Sequence, residues 1–331
     1  MDVSSWIQAR GYQTIVNLEG GIDSRSFPAI KKRGPNHASS ACVKEVLSEL
    51  NTVGCCMANN HTMDFGVLGL EKTLIELDRI GIQHTGAGYN IECVYEPIQI
   101  HLSGLNVGIA AFGWQEEETQ IATRHRAGCA SYDVDVITRV VKEMKGKFDK
   151  VVVCLHFGFE YNRYPMPVDI NISHAIIDAG ADLIIGHHPH CVQPLEIYHG
   201  KRIYYSLGNF YFGTRRQALA QKRFHEPIEN QCNFGALVAW NPINDAFLEH
   251  AIQYMPQTDC SRVLEEVPKG ILHKVSFSSN SEFNSIAYIR KVKQSRIKRN
   301  PVLTGKLDKG KLVLWHARHK MGKLYRKFIR K

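Results

Sequence analysis

The chain has no apolar stretch approaching the ~20 residues of a membrane-crossing helix. It also has no Cys-x-x-Cys pair among its nine cysteines. The first absence predicts a chain without a helical membrane span. The second removes the usual frame for a thiolate zinc site, and an odd, scattered set of cysteines does not describe a disulfide scaffold. Cys55, Cys56 and Cys154 lie in apolar, strand-like runs, as free buried thiols do. Met1 to Arg10 carries no basic flank followed by an apolar run, so no secretory signal is expected there. These absences predict a reducing, cytoplasmic setting. Internal repeats are lacking too, and 331 residues with 44% hydrophobic and 22% charged content can bury a substantial core in one large domain or two.

Acidic residues are scarce in one region only. From Arg290 to Lys331 there are 16 Lys and Arg against a single acid, Asp308, whereas the remainder holds 25 basic and 31 acidic residues. The expected organisation is a mildly acidic body over residues 1–255 and a basic extension over 256–331, partly helical or disordered. Ser276 to Ser285 reads as a loop. Leu312, Trp315, His319, Leu324 and Phe328 are set among cations like the apolar side of an amphipathic helix. That pattern would bring residues 312–331 against anionic polymer or the inner face of an anionic membrane. A solvated charged surface is the plainer alternative, and nucleic acid is not an expected partner because no recognisable binding module accompanies the charge.

What the body does contain is alternating periodicity. Helical spacing appears at Ser4–Arg10, at Val43, Val46, Leu47 and Leu50 (with Gly54 as a stop), at Leu70, Leu74 and Leu77, at Asp133–Lys145 and at Ile170–Ala179. Between these lie apolar runs of strand type: Gln13–Leu18, Cys55–Ala58, Ile82–Thr85, Lys150–Leu155 and Asp182–Ile185. Hairpins are expected at Ile98–Phe112 and Leu195–Leu207, and Phe234–Trp240 reads as the last strand of the body. Alternation of helix and strand specifies an α/β fold.

Four of these runs end in polar residues that cores avoid: Asn17/Glu19, Asn59/Asn60/His61, His156 with Glu160 beyond, and His188/His190. Sites of α/β folds lie at the C-terminal ends of strands, so a common rim is the natural place for all of them. Pro189 should hold His188 and His190 in a fixed extended relation. Imidazole, carboxylate and carboxamide together suit a first-row divalent ion better than Ca or Mg. Taken singly, each residue has a plainer role: a turn or cap for Glu19, turn amides for Asn59 and Asn60, a hydrogen-bonded core position for His156.

The string Met57-Ala58-Asn59-Asn60-His61-Thr62-Met63-Asp64-Phe65-Gly66, with Gly69-Leu70 and Thr73, resembles the bacterial capsule-synthesis CapA family. This is the poly-γ-glutamate capsule family, of the calcineurin-like metallophosphoesterase superfamily. Asn17-Leu18-Glu19, Gly86-Ala87-Gly88-Tyr89-Asn90, His156 to Tyr161, Gly186 to His190 and Tyr205 to Phe210 match as well, in family order over residues 12–240. The resemblance implies a four-layer α-β-β-α sandwich of the metallophosphatase type, with one or two divalent ions (Mn, Zn or Fe) at the strand ends. It implies Glu19, Asn60, His156, His188 and His190 as metal ligands, and His61 as the catalytic residue that meets the substrate oxyanion or protonates the leaving group. Asn17, Asn59, Asp64, Glu160 and Asn209 would stand behind the ligands or toward substrate, and His187 would point elsewhere. The family usually opens with a strand ending in Gly-Asp that adds a ligand. No such strand precedes Asn17 here, so one bound ion or fewer per chain is expected, together with an open sheet edge.

The expected function is a metal-dependent hydrolase of a phosphoester or amide-type centre, acting in synthesis of capsule or another anionic surface polymer. Its partner would be an anionic polymer or phosphorylated substrate. The alternative is a non-catalytic polymer-binding or assembly protein that keeps part of the centre.

Overall fold

The computed structural model describes residues 2–32, 35–115, 119–211, 234–255, 260–266 and 274–275. Helix α1 (Val3–Gln8) is capped by Asp2, whose Oδ1 accepts from the Ser5 N–H at 3.0 Å. Strands β1 (Thr14–Asn17), β2 (Gly21–Ile22) and β3 (Ala38–Ser39) follow, then α2 (Val43–Glu49), β4 (Thr52–Cys56), α3 (Gly66–Arg79) and β5 (Gln83–Thr85). β1, β4 and β5 run parallel as one small sheet. The helical period puts Leu70, Leu74 and Leu77 on one side of α3, where with Leu47 of α2 they cover Cys55 and Met57. Burying each such leucine is worth ~1.5–3 kcal/mol.

Gly54 does not stop the helix. α2 ends at Glu49, Asn51 turns the chain at a left-handed φ of 50°, and Gly54 lies inside β4. A Cβ there would fall 2.8 Å from the side chains of Ile15 and Ile98, so the glycine serves close approach between layers.

The second half builds the larger sheet. β6 (Ala87–Gly88) pairs with β9 (Gly128–Cys129), and between them the expected hairpin forms as β7 (Ile98–Leu102) and β8 (Leu105–Gly113). Next come α4 (Val134–Lys145), β10 (Lys150–His156), α5 (Pro167–Asp178), β11 (Leu183–His187), β12 (Leu195–Tyr198) and β13 (Lys201–Tyr204). Asp133 caps α4 through its Oδ1. Pro167 opens α5, three residues ahead of the apolar run that predicted it, and Asp169 accepts from the Met166 N–H. β8, β10, β11 and β13 are mutually parallel.

Strand β10 shows why an uninterrupted apolar run was required. Val151, Val153 and Leu155 face α4 and α5, while Val152 and Cys154 face the small sheet. The layers are therefore α2/α3, small sheet, large sheet, α4/α5: the four-layer α-β-β-α order.

The strand expected to be last forms as β14 (Phe234–Asn241), but it opens a third sheet that continues with β15 (Ala246–Met255) and β16 (Cys260–Val263). β15 escapes the alternation rule because Glu249 and His250 interrupt its apolar pattern. Glu249 is taken up by Arg202 and by the Tyr204 hydroxyl at 2.6 Å. β17 (Lys274–Val275) joins the large sheet beside β12. Among the described residues no helix is long and apolar enough to cross a membrane. The expected loop at 276–285 and the basic amphipathic segment at 312–331 lie outside the described residues.

Candidate functional site

The parallel strands of both sheets end at one rim. Past β1, Leu18 N–H reaches Cys56 O at 3.0 Å, and Asn59 Nδ2 bonds Leu18 O at 2.9 Å, which sets Glu19 beside the turn that follows β4. In that turn Asn59 Oδ1 accepts from the His61 N–H and the Thr62 hydroxyl, both at 3.1 Å. The amide of Asn59 is therefore engaged inside the turn, and it orients its neighbours instead of facing the site.

Asn60 and His61 do face it. Asp64 is paired with Lys32, and its carboxylate accepts from His61 Nδ1–H at 2.7 Å. This leaves His61 Nε2 to accept from Asn60 Nδ2 at 3.2 Å, while Asn60 Oδ1 accepts from His156 Nε2–H at 2.9 Å. Glu19 Oε1 stands 3.6 Å from His61 Nε2 and 3.8 Å from His190 Nε2. The ring centroids of His156 and His188 are 4.8 Å apart, and those of His188 and His190 are 6.0 Å apart. His190 Nδ1–H donates to Asn209 Oδ1 at 2.9 Å, and Asn209 Nδ2 returns a bond to His190 O. Glu19, Asn60, His61, His156, His188 and His190 are thus brought together from four distant segments. Asp64 and Asn209 hold two of the imidazoles from behind.

Other residues take other places. Asn17 is the last residue of β1, in register with Cys56. Glu160 sits in the turn after β10, next to Tyr161, whose N–H bonds Pro189 O at 2.7 Å. His187 ends β11 opposite His156, and burial drives its pKa down to about 4. The extended relation expected for His188 and His190 is not what Pro189 produces. Both flanking histidines have positive φ, 97° and 56°. Such backbone is costly for a residue with a Cβ, and it persists where the surroundings fix it. Here Phe157 N–H to His187 O and Tyr161 N–H to Pro189 O pin the loop on both sides.

Sequence reasoning passed over a segment that reaches the same place. Residues of the basic loop before β3 bind the Asn59–Asp64 turn. Lys32 Nζ pairs with Asp64 Oδ1 and lies 3.0 Å from Asn60 O and 3.1 Å from His61 Nδ1. Asn36 Nδ2 and the Ile30 N–H bond Asp64 O, the His37 N–H bonds Asp64 Oδ2 at 2.6 Å, and the His37 ring meets His61 edge-on at 3.9 Å. The available signal was the run Lys31-Lys32-Arg33 flanked by Pro28 and Pro35. A basic cluster in a loop reads as solvated surface, which hid it.

The profile of the bacterial capsule synthesis protein family PGA_cap matches residues 1–214, nearly two thirds of the sequence. The chain belongs to the PGA_cap family. It is 36% identical over 183 residues to the PGA biosynthesis protein CapA of Bacillus subtilis, covering 54% of this chain and 48% of that protein. It is 35% identical over 210 residues to the capsule biosynthesis protein CapA of Bacillus anthracis, covering 61% and 51%. This PGA_cap member therefore spans about half the length of the curated relatives it matches. A solved structure, that of a hypothetical protein from Thermus thermophilus, shows 14% identity and a TM-score of 0.44 over 80% of this chain and 92% of that one.

Among the described residues, no three His, Cys, Asp or Glu side chains stand close enough together to hold an ion as they are. The donors instead stand 2.9–3.8 Å from one another, with hydrogen bonds joining Asn60 to His61 and to His156. Their chemistry fits an ion nonetheless. Burial holds the imidazoles of His61 and His156 below the ordinary range, that of His156 well below it, so both are neutral with lone pairs to give. His156 Nδ1 is buried without a hydrogen-bond partner.

Proposed function

We propose that this PGA_cap member is a divalent-metal-dependent hydrolase of a phosphoester or amide-type bond, acting in the making of an anionic capsule polymer such as poly-γ-glutamate. The observation that carries this reading is the convergence of Glu19, Asn60, His61, His156, His188 and His190, from strand ends of two sheets, on one rim.

Glu19, Asn60, His156, His188 and His190 are the residues that would hold one or two ions. A bound Mn, Zn or Fe would lower the pKa of water and polarise the substrate's oxygen. The remaining work falls to the chain. His61, with Nδ1–H anchored on Asp64, presents an unprotonated Nε2 toward the rim, where it can take the proton released by the attacking water and pass it to the leaving group. Asn209 fixes the ring of His190 so that its Nε2 faces Glu19. Asn59 locks the turn that carries Asn60 and His61.

The test is hydrolysis of bis(p-nitrophenyl) phosphate with added Mn or Zn by the parent and by His61→Ala. Metal-stimulated turnover that drops at least ~100-fold in the variant is expected. Metal binding with no turnover in either protein would replace the enzyme by a non-catalytic polymer-binding protein. The basic segment 312–331 is proposed to contact anionic lipid. Its deletion should weaken partition onto anionic vesicles at low salt, and unchanged partition would remove that role.

A further inference from the structure

We propose that Lys32 is a positioning residue of this site, a clamp that fixes the Asn60–His61 pair from behind. The proposal rests on the reading of the rim as a functional centre, and nothing about Lys32 follows from the donor set itself.

Lys32 comes from outside the strand-end pattern, yet its side chain is 3% exposed and that of Asp64 is 1% exposed. A lysine is almost never that deeply buried unless it is paired. Its ammonium spans two points of the turn at once: the carboxylate of Asp64, five residues past Asn59, and the backbone carbonyl of Asn60. Asn60 presents its side chain to His61 and His156, so the donor on its carbonyl also sets the plane from which that side chain departs. Asp64 is the other half of the clamp. Its carboxylate receives Lys32, the His37 N–H and His61 Nδ1–H, and its carbonyl receives the Ile30 N–H and Asn36 Nδ2.

Three parts are joined through these two residues: Ile30, Asn36 and His37, the turn after β4, and the His61 ring. Lys32 lies on the Nδ1 side of that ring, away from the Nε2 that meets Glu19, so it acts through Asn60, His61 and Asp64. Residues that orient ligands from behind typically change metal affinity or activity by ~10–100-fold when removed.

The test compares full-length parent, Lys32→Gln, Lys32→Arg and a control, Lys44→Met. The control breaks another ion pair to a buried carboxylate, Lys44 of α2 with Glu76 of α3 at 2.7 Å. The first readout needs no metal and no turnover: amide hydrogen exchange of Ile30 and His37, whose N–H groups bond Asp64. Exchange at least ~10-fold faster in Lys32→Gln, restored in Lys32→Arg and unchanged in Lys44→Met, is the expected result. Parental exchange in Lys32→Gln overturns the clamp whether or not the protein is an enzyme.

The second readout is Mn affinity by calorimetry, together with kcat and KM on bis(p-nitrophenyl) phosphate. Affinity and kcat should fall ~10-fold or more in Lys32→Gln with KM little changed, and Lys32→Arg should recover most of the loss. An equal loss in Lys44→Met would mark the effect as general destabilisation and overturn the positioning role. Should Lys32→Gln not fold, Lys32→Met/Asp64→Asn, which removes both charges together, takes its place with the same expected result read at Ile30 alone, whose acceptor is the Asp64 backbone carbonyl. A parent that neither binds Mn nor turns over would sink the hydrolase reading, and the exchange result would still decide whether Lys32 clamps the turn.

Discussion

Replacing Gly113 by alanine should separate the two sheets directly beneath the rim. Gly113 ends β8 in register with His156 of β10. A Cβ built there falls 2.7 Å from Ala58 O and 2.9 Å from Ala58 C, in the segment that leads into Asn59 and Asn60. Both clashing atoms are backbone, so no side chain can rotate away. Relief to an ordinary contact needs about 0.7 Å of movement between the layers. Overpacking of this kind costs ~1–3 kcal/mol. The backbone of Gly113 is not left-handed, so the penalty is steric alone. Gly146, which closes α4 at φ −75°, is the matched control. An added Cβ there meets nothing nearer than Glu143 O at 3.5 Å, and alanine should stabilise the chain by ~0.4–1 kcal/mol through the unfolded state. Urea unfolding followed by circular dichroism should therefore order the proteins Gly146→Ala above parent above Gly113→Ala, with equal m-values. The moved Ala58 carries Asn60 away from His156, now 2.9 Å away, so Mn affinity should fall ~10-fold in Gly113→Ala alone. A Gly113→Ala protein within ~0.5 kcal/mol of parent would refute the claimed contact between the layers.

Asp182 supplies a pH test. Burial pushes its carboxyl up, but Lys201 at 2.7 Å, the Val151 N–H at 2.9 Å and Lys145 at 3.0 Å outweigh that and hold it below the usual carboxylate range. A depressed carboxylate contributes stability above its unfolded pKa of ~3.9 and loses it as pH falls through the folded value. Parent should thus lose stability below about pH 4 more steeply than Asp182→Asn, and identical acid slopes would exclude this role. Burial also pushes the thiols of Cys55 and Cys129 up to about 12 and about 11, whereas Cys42 and Cys93 are exposed. Peptide mapping after brief labelling of folded protein at about pH 8 should find Cys42 and Cys93 modified and Cys55 and Cys129 intact. Rapid modification of either buried thiol would mean that the layers open readily.

The body was legible where one physical constraint ruled alone. Val151 to Leu155 had to be apolar throughout because each face of β10 meets a different layer. The helices with clear apolar spacing were readable, since a surface helix needs only one buried side. The candidate site was legible because polar residues gather at the ends of four apolar strands, where a core would avoid them. Legibility failed where long-range pairing offset a local misfit. Gly54 resembles a helix stop by its position, but its size answers to Ile15 and Ile98. β15 carries Glu249 because Arg202 and Tyr204, 47 and 45 residues earlier, donate hydrogen bonds to its carboxylate. Lys32 was invisible for the same reason: nothing near it in the chain announces the carboxylate that buries it. The backbone of His188 and His190 also departs from its local preference, held by Phe157 and Tyr161.

The rim belongs to neither sheet. Glu19, Asn60 and His61 are delivered by β1 and β4, while His156, His188 and His190 are delivered by β10 and β11. A folding intermediate that has completed only one β-layer owns half a centre and has nothing to capture with. Any ligand held by both sets of side chains would bind the assembled sandwich and ignore its separated slabs, so at about 100 times its Kd it would add ~2.7 kcal/mol to their cohesion. Occupancy would then work as a rivet, and release would loosen the seam on which the whole sandwich closes.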